Sequence, residues 1–414
     1  MTAPVTEQKP VRGSTLQRWL LSLGPGIITA ALVFGPSKMT ITSKMGADYG
    51  YSLLWVVAVA IFFMVIFAGM GARIGAVNKG SLLSLIRQQW GSKVAIAIGI
   101  GVFLVTTSFQ AGNSIGVGIA IAEGTGTSPV LWVVVFNMLG IGLLFFRSFY
   151  KMLEKLMIFL VALMLFSFVT TLFMADPDAA GVAYGFVPAV PTGSAGLIIA
   201  FTASCFSIVG AFYQSYLVQE RAKLSTSTEQ NDNVAGGSTT GILILGVMSA
   251  VVLICAAAVL HPQGIKVDSA SQMAKALEPL FGSNASALFL AGLFGASFSS
   301  LVGNATVGGS LLGDALGYGS NLNSRQVKLF IALVMVAGAT IAILFGKLPL
   351  ELIVFAQSVT IFLVPFIGVA MYVIANKASV MGAHRNSLAT KIFGGVGLLL
   401  LIGLAVSNAI DMLK

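Results

Sequence analysis

Charge is scarce in this sequence. Asp, Glu, Lys and Arg make up 9% of its 414 residues, against about 25% in a soluble globular domain, and this excludes a soluble domain of ordinary composition. Acidic residues are the scarcer sign, with 14 Asp and Glu against 23 Lys and Arg. The net charge of +9 is spread over short loops rather than gathered into a patch, so no nucleic-acid partner is expected. Histidine and cysteine are nearly missing. His261 and His384 fall in loops, Cys205 and Cys255 lie inside apolar runs, and no His/Cys/Asp/Glu cluster has metal-site spacing. The two cysteines read as small core residues rather than a disulfide or metal pair, and they do not report a redox compartment. There is no nucleophile–base set and no phosphate-binding loop, so neither an enzyme nor a bound cofactor is expected.

What the sequence has instead is apolar length. Hydrophobic residues account for 57% of the chain and the mean hydropathy is +0.95. The polar start, MTAPVTEQKPVRGSTLQRW, contains no cleavable apolar region, so no signal peptide is read. The apolar blocks predict an all-α integral membrane protein of about eleven spans. They fall near residues 20–45, 52–72, 94–122, 129–146, 154–175, 195–219, 238–260, 286–312, 327–346, 349–376 and 390–410. Basic residues set the orientation. With the N-terminus inside, 17 lie on the inner side and 5 on the outer, Lys38 completing the 23. The odd span number then leaves the C-terminus outside. The expected organisation is a polar cytoplasmic tail over 1–18, a transport core over 19–376, and a cytoplasmic loop with an eleventh helix over 377–414. Ser225–Gly237 reads as a polar inner linker, and Asp268–Phe281 as a short amphipathic helix on the outer surface.

One segment departs from plain spanning helix. Leu23–Lys44, LGPGIITAALVFGPSKMTITSK, runs an apolar helix into Gly35-Pro36-Ser37 and then directly into Lys38. A helix break within a membrane is tolerated only where protein or a water-lined cavity satisfies the freed backbone groups. An ionisable residue at such a break marks a candidate site. The plainer reading ends the helix at Gly35-Pro36 and lets Lys38 snorkel to the interface. In the sixth span, Phe201–Gln219, Ser204, Ser207 and Gly210 stand mid-span. Paired breaks in the first and sixth spans mark a five-plus-five inverted repeat with its site at the midplane, although small residues in membrane helices also serve close packing.

The chain resembles the NRAMP family of divalent-metal transporters over nearly its whole length. The resemblance is carried by LGPGII (23–28), YGYSLLWVV (49–57), GARIGAVNKGSLLSLIRQQWG (71–91), YKMLEKLMIFLVALM (150–164), YGFVPAVP (184–191) and SYLVQER (215–221). It implies a LeuT-type fold with broken helices 1 and 6. The metal chemistry does not carry over. Where the family's first-helix motif reads Asp-Pro-Gly-Asn, with the Asp and Asn as metal ligands, this chain has Gly35, Pro36, Ser37 and Lys38. Where the sixth helix reads Met-Pro-His, it has Ser207, Ile208 and Val209, and only the tenth-helix glutamine is kept, as Gln357. The third-helix acids are replaced by Gln110 and Asn113. Glu123 and Asp314 remain near span ends and read as interfacial. A divalent ion about 5 Å from an ammonium is repelled by several kcal/mol even at an effective dielectric of about 20.

The expected function is therefore NRAMP-related secondary transport of a small solute by alternating access. The substrate expected is an organic anion or carboxylate-bearing metabolite, with a proton as candidate coupling ion. A buried lysine needs a counter-charge, and the central spans offer no carboxylate, so the substrate is the simplest partner. Gly35, Ser37, Lys38, Gln110, Asn113, Ser204, Ser207 and Gln357 are the candidate substrate-binding residues, with no metal site. Tyr213 and Gln214 are candidates for the inner end of the path. Lys38 has two candidate roles, as direct ligand or as a built-in cation that loses and regains a proton. The alternatives are a divalent metal transporter with an atypical site and a non-transporting sensor or scaffold. The expected partners are the lipid bilayer and the small solute, and the expected location is a bacterial cytoplasmic membrane.

Overall fold

The structure is a computed structural model that describes residues 34–145, 147–206, 208–224, 231–345 and 350–413. Its first described helix, α1 (Pro36–Tyr49), starts at the expected break. Gly35 is extended (φ −81°, ψ 177°) and Pro36 occupies the first turn, where its missing N–H costs nothing and its fixed φ suits a helix start. The residues before 34, and with them the first half of the expected broken span, lie outside the described residues.

The apolar runs then form helices close to the expected bounds: α2 (Leu54–Val77), the short amphipathic α3 (Leu82–Trp90), α4 (Ser92–Thr125), α5 (Pro129–Leu143) and α6 (Arg147–Met174). The sixth expected span is two helices, α7 (Ala195–Cys205) and α8 (Ile208–Leu224). α7 ends at Cys205, and Phe206 after it leaves the helical conformation (φ −79°, ψ 57°). The break therefore precedes Ile208, and Ile208–Gly210 are helical rather than unwound. The remaining long helices are α9 (Asn231–Val259), α10 (Ala285–Ala315), α11 (Arg325–Leu344), α12 (Leu350–Thr360), α13 (Val364–Asn376) and α14 (Leu388–Leu413).

Among the described residues seven helices are long and apolar enough to cross a membrane, or eight with the α12–α13 pair, and Pro129–Leu143 and Ile158–Met174 are shorter apolar helices. The α12–α13 pair bends by 42°. The expected single span over 349–376 is broken because Pro365 lies in the first turn of α13 and cannot continue the hydrogen-bond ladder of a helix.

Three loop expectations change. The 225–237 linker is helical from Asn231 onward, and residues 225–230 lie outside the described residues. The 268–281 segment is a run of short turns rather than one surface helix, with Pro279 opening a new turn. Its Met273, Ala276 and Leu277 are fully buried, and the Glu123 carboxylate accepts from the N–H groups of Ala270 and Ser271, which ties it to the end of α4.

Close helix approach rests on glycine. A Cβ at Gly71 or Gly75 of α2 would run into the carbonyl oxygens of Ala211 and Ser215 on α8. A Cβ at Gly308 of α10 would run into the Thr106 hydroxyl of α4. These approaches bring α1, α4, α8, α10 and α12 around one central cavity.

Candidate functional site

The cavity has a volume of about 970 Å³. Ser37 and Lys38 reach it because Pro36 starts α1 just before them. The first α1 backbone bond runs from the Met39 N–H to the Gly35 carbonyl at 3.3 Å. The Ser37 and Lys38 N–H groups thus belong to the unpaired first turn, and no side chain caps it. Lys38 is 8% exposed, and among the described residues no hydrogen bond or ion pair engages its ammonium. Ser204, next to the C-terminal end of α7, lines the same cavity as Lys38, so the partial negative charge of that helix end favours the cation.

Neutral polar groups surround the lysine. Gln357, 1% exposed in the last turn of α12, donates from Nε2 to Ser37 Oγ at 2.9 Å, and its Oε1 has no partner among the described residues. Gly112 leaves room for that bond, since a Cβ there would stand 3.2 Å from Ser37 Oγ and 3.7 Å from Gln357 Nε2. Asn113, 5% exposed, lines the cavity, and no hydrogen bond engages its amide among the described residues. Ser204 lines it from the end of α7.

The structure thus brings Gly35, Ser37, Lys38, Asn113, Ser204 and Gln357 to one cavity. Gln110 is placed behind it. Its side chain packs against Gly338 and accepts from Asn304 Nδ2 at 3.2 Å. Ser207 lies outside the described residues. Tyr213 lines the cavity, whereas Gln214 is not among the lining residues.

α10 contributes residues that the sequence reading missed: Ser300, Asn304 and Thr306. The signal was the run SFSSLVGNAT (297–306), in which Ser300 and Asn304 share a helix face. Asp314 also departs from expectation. It is buried rather than interfacial, and it accepts from Tyr216 Oη at 2.6 Å.

The far end of the cavity carries Glu220, Asn323 and Lys328, beside the basic residues read as inner. A second cavity of about 810 Å³ is lined by Lys44, Asp48, His261, Lys266, Asp268 and Glu351. Lys44 donates to the Val267 carbonyl at 2.8 Å and pairs with Asp268 at 3.8 Å. Lys44 lies six positions along α1 from Lys38, about 9 Å of helix rise. Met39 and Ile41, on the intervening turns, are fully buried. The two cavities thus lie toward opposite ends of α1. Among the described residues no group of three or more His, Cys, Asp or Glu side chains is placed to hold a metal ion.

Comparison with known proteins agrees with this architecture. The family model described as natural resistance-associated macrophage protein-like matches residues 26–411. A divalent metal cation transporter, MntH, from Deinococcus radiodurans is 27% identical over 402 residues, covering 94% of this chain and 89% of that protein. A manganese transporter from Eremococcus coleocola superposes with a TM-score of 0.72 at 20% identity, covering 97% of this chain and 88% of that one. A nucleobase-cation-symport family transporter with bromovinylhydantoin bound superposes with a TM-score of 0.64 at 14% identity, covering 94% and 93%. The fold is LeuT-type.

Proposed function

The chain belongs to the natural resistance-associated macrophage protein-like family of transporters, and from that premise we propose that it carries a small carboxylate-bearing solute, bound at Lys38, across the bacterial cytoplasmic membrane. The observation that carries this reading is a buried ammonium in a cavity whose deep wall holds no carboxylate. Glu220 is the acidic residue that lines the cavity. It stands eleven residues along α8 from Val209, about 16 Å of helix, at the mouth.

A carboxylate entering this site meets Lys38, the free N–H groups of the α1 first turn and its positive dipole end. Ser37, Ser204 and the amides of Asn113 and Gln357 supply hydrogen bonds around it. A dehydrated divalent cation would meet an ammonium and neutral oxygens, with no carboxylate or imidazole to replace its hydration shell. The solute leaves toward the face of Glu220 and Lys328, which the basic-residue count makes cytoplasmic. Lys38 exchanging a proton each cycle remains the candidate route to proton coupling.

The relatives support a second reading. Their names are those of divalent metal cation and manganese transporters, and none of those names supports an organic anion. On that reading Lys38 swings aside, and backbone carbonyls with Gln357 ligate the ion. One fold hosts many cargoes, so the site residues must decide.

The test is uptake by the full chain in proteoliposomes, with radiolabelled organic acids in one arm and manganese in the other. The expected result is saturable uptake of an acid, nearly abolished in Lys38→Ala and Lys38→Met and poor in Lys38→Arg, whose planar fork does not replace a compact ammonium. Lys79→Ala, in an exposed loop, is the matched control and should transport normally. Manganese uptake that competes at the same site, or acid uptake unchanged in Lys38→Ala, overturns the proposal.

A further inference from the structure

The lining of the central cavity holds more recognition chemistry than one carboxylate uses. Lys38 is the single fixed charge at its deep end, and the groups around it are neutral. Asn113 presents its side chain to the cavity and makes no hydrogen bond among the described residues, and Gln357 Oε1 is buried with no partner among them. Both residues line the same cavity, and Asn113 Oδ1 lies on the side of Gly35, where a Cβ would stand 3.8 Å from it.

A buried amide left unpaired costs free energy that a ligand recovers by bonding to it. A site built this way rejects an analogue that lacks the matching group. The charge count limits which group it can be. A second carboxylate on the ligand would have no second cation at the deep end. An ammonium beside the first carboxylate would stand near Lys38 with no protein carboxylate to pair it. A hydroxyl or an amide both donates and accepts, so it satisfies Asn113 and the free end of Gln357 and adds no charge.

We propose that the substrate is a small monocarboxylate bearing a neutral hydroxyl or amide next to the carboxylate, with the carboxylate on Lys38 and Ser37 and the neutral group on Asn113 and Gln357. This rests on the anion reading of the site.

The experiment measures binding to the purified full chain by thermal shift and isothermal titration with small acids matched in size. The probes are propionate, lactate, N-formylglycine, alanine and malonate. Lactate or N-formylglycine should bind at least roughly tenfold more tightly than propionate, the worth of about one well-made neutral hydrogen bond. Alanine and malonate should bind no better than propionate. Asn113→Leu should bring lactate and propionate to equal affinity. Gln357→Met is the second variant, used where Asn113→Leu lowers the melting temperature of the ligand-free protein.

Equal affinity for propionate and its polar analogues, abolished by Lys38→Ala, overturns this inference and leaves the anion site standing. Tightest binding of alanine or malonate also overturns it. Absence of saturable binding by all five acids, or manganese binding in their place, overturns both.

Discussion

At the scale of single residues, the site turns on Gly35 and Lys38. Gly35 stands where the family's first-helix motif has its carboxylate, and a Cβ there would come 2.8 Å from Ser300 Oγ and 3.8 Å from Asn113 Oδ1. A side chain there would be crowded, and on the proposed reading the charge of the site is that of Lys38. Gly35→Asp should therefore do more than crowd Ser300. Its carboxylate would pair with the ammonium, and removing a charge from its partner in a buried site costs several kcal/mol. The expected outcome is loss of acid binding by more than tenfold in isothermal titration, with no recovery when Lys38→Asn is added, because the double variant has no cation. Acid binding retained in Gly35→Asp would show that Lys38 points away from the substrate. Both residues were legible in the sequence, since a helix breaker followed by a lysine inside an apolar run needs no structure to be noticed. Asn304 and Ser300 were not, because small polar residues on a membrane helix carry the same pattern whether they pack a neighbour or line a cavity.

At the scale of elements, α8 is the best-held wall of the cavity. Its outer half rests on α2, where Gly71 and Gly75 admit the Ala211 and Ser215 carbonyls. Its inner half is tied by Tyr216, which donates to Asp314 of α10 at 2.6 Å and accepts from the Leu83 N–H at the start of α3 at 3.3 Å. Arg87 of α3 closes the set by donating to the Asp314 and Ala315 carbonyls at 3.0 and 2.7 Å. Gly75→Val should cost about 1–3 kcal/mol by overpacking and lower the melting temperature in detergent. Gly69→Val, on the same helix with nothing within 4 Å of its Cβ, should leave it nearly unchanged. Tyr216→Phe should cost about 1–3 kcal/mol, because a buried carboxylate loses its donor. Equal melting temperatures for the two glycine variants would mean that α2 and α8 do not make this contact. Of the elements, the long apolar helices were readable from hydropathy, although seven or eight among the described residues are long enough to cross where eleven were expected, and the α12–α13 bend was readable from Pro365, a cue outweighed by the apolar run around it. The burial of Asp314 was not readable, because it depends on Tyr216 from a helix almost a hundred positions earlier.

At the scale of the whole molecule, two cavities lie toward opposite ends of α1, with the buried Met39 and Ile41 between them on that helix. Alternating access requires this asymmetry, and the sequence could not express it, since hydropathy reports which segments span and not which side of them is open. On the proposed orientation, the basic-residue bias supplies the missing direction. Leu217 lines the cavity that reaches Lys38, and Val359 lines the one that stops short of it. Single cysteines at these positions test conformation and orientation together, because native Cys205 and Cys255 are buried and should give little background. In membrane vesicles of known sidedness, a membrane-impermeant thiol reagent should label Leu217→Cys from the cytoplasmic side only and Val359→Cys from the opposite side only. A bound acid should slow labelling of Leu217→Cys in an otherwise native protein and have no such effect once Lys38→Ala is added, because the protection requires occupancy at the ammonium. Labelling of Leu217→Cys from the outer side would reverse the orientation read from the charges. Labelling of both cysteines from one side would mean that the two cavities are joined and that α1 is not the barrier between them.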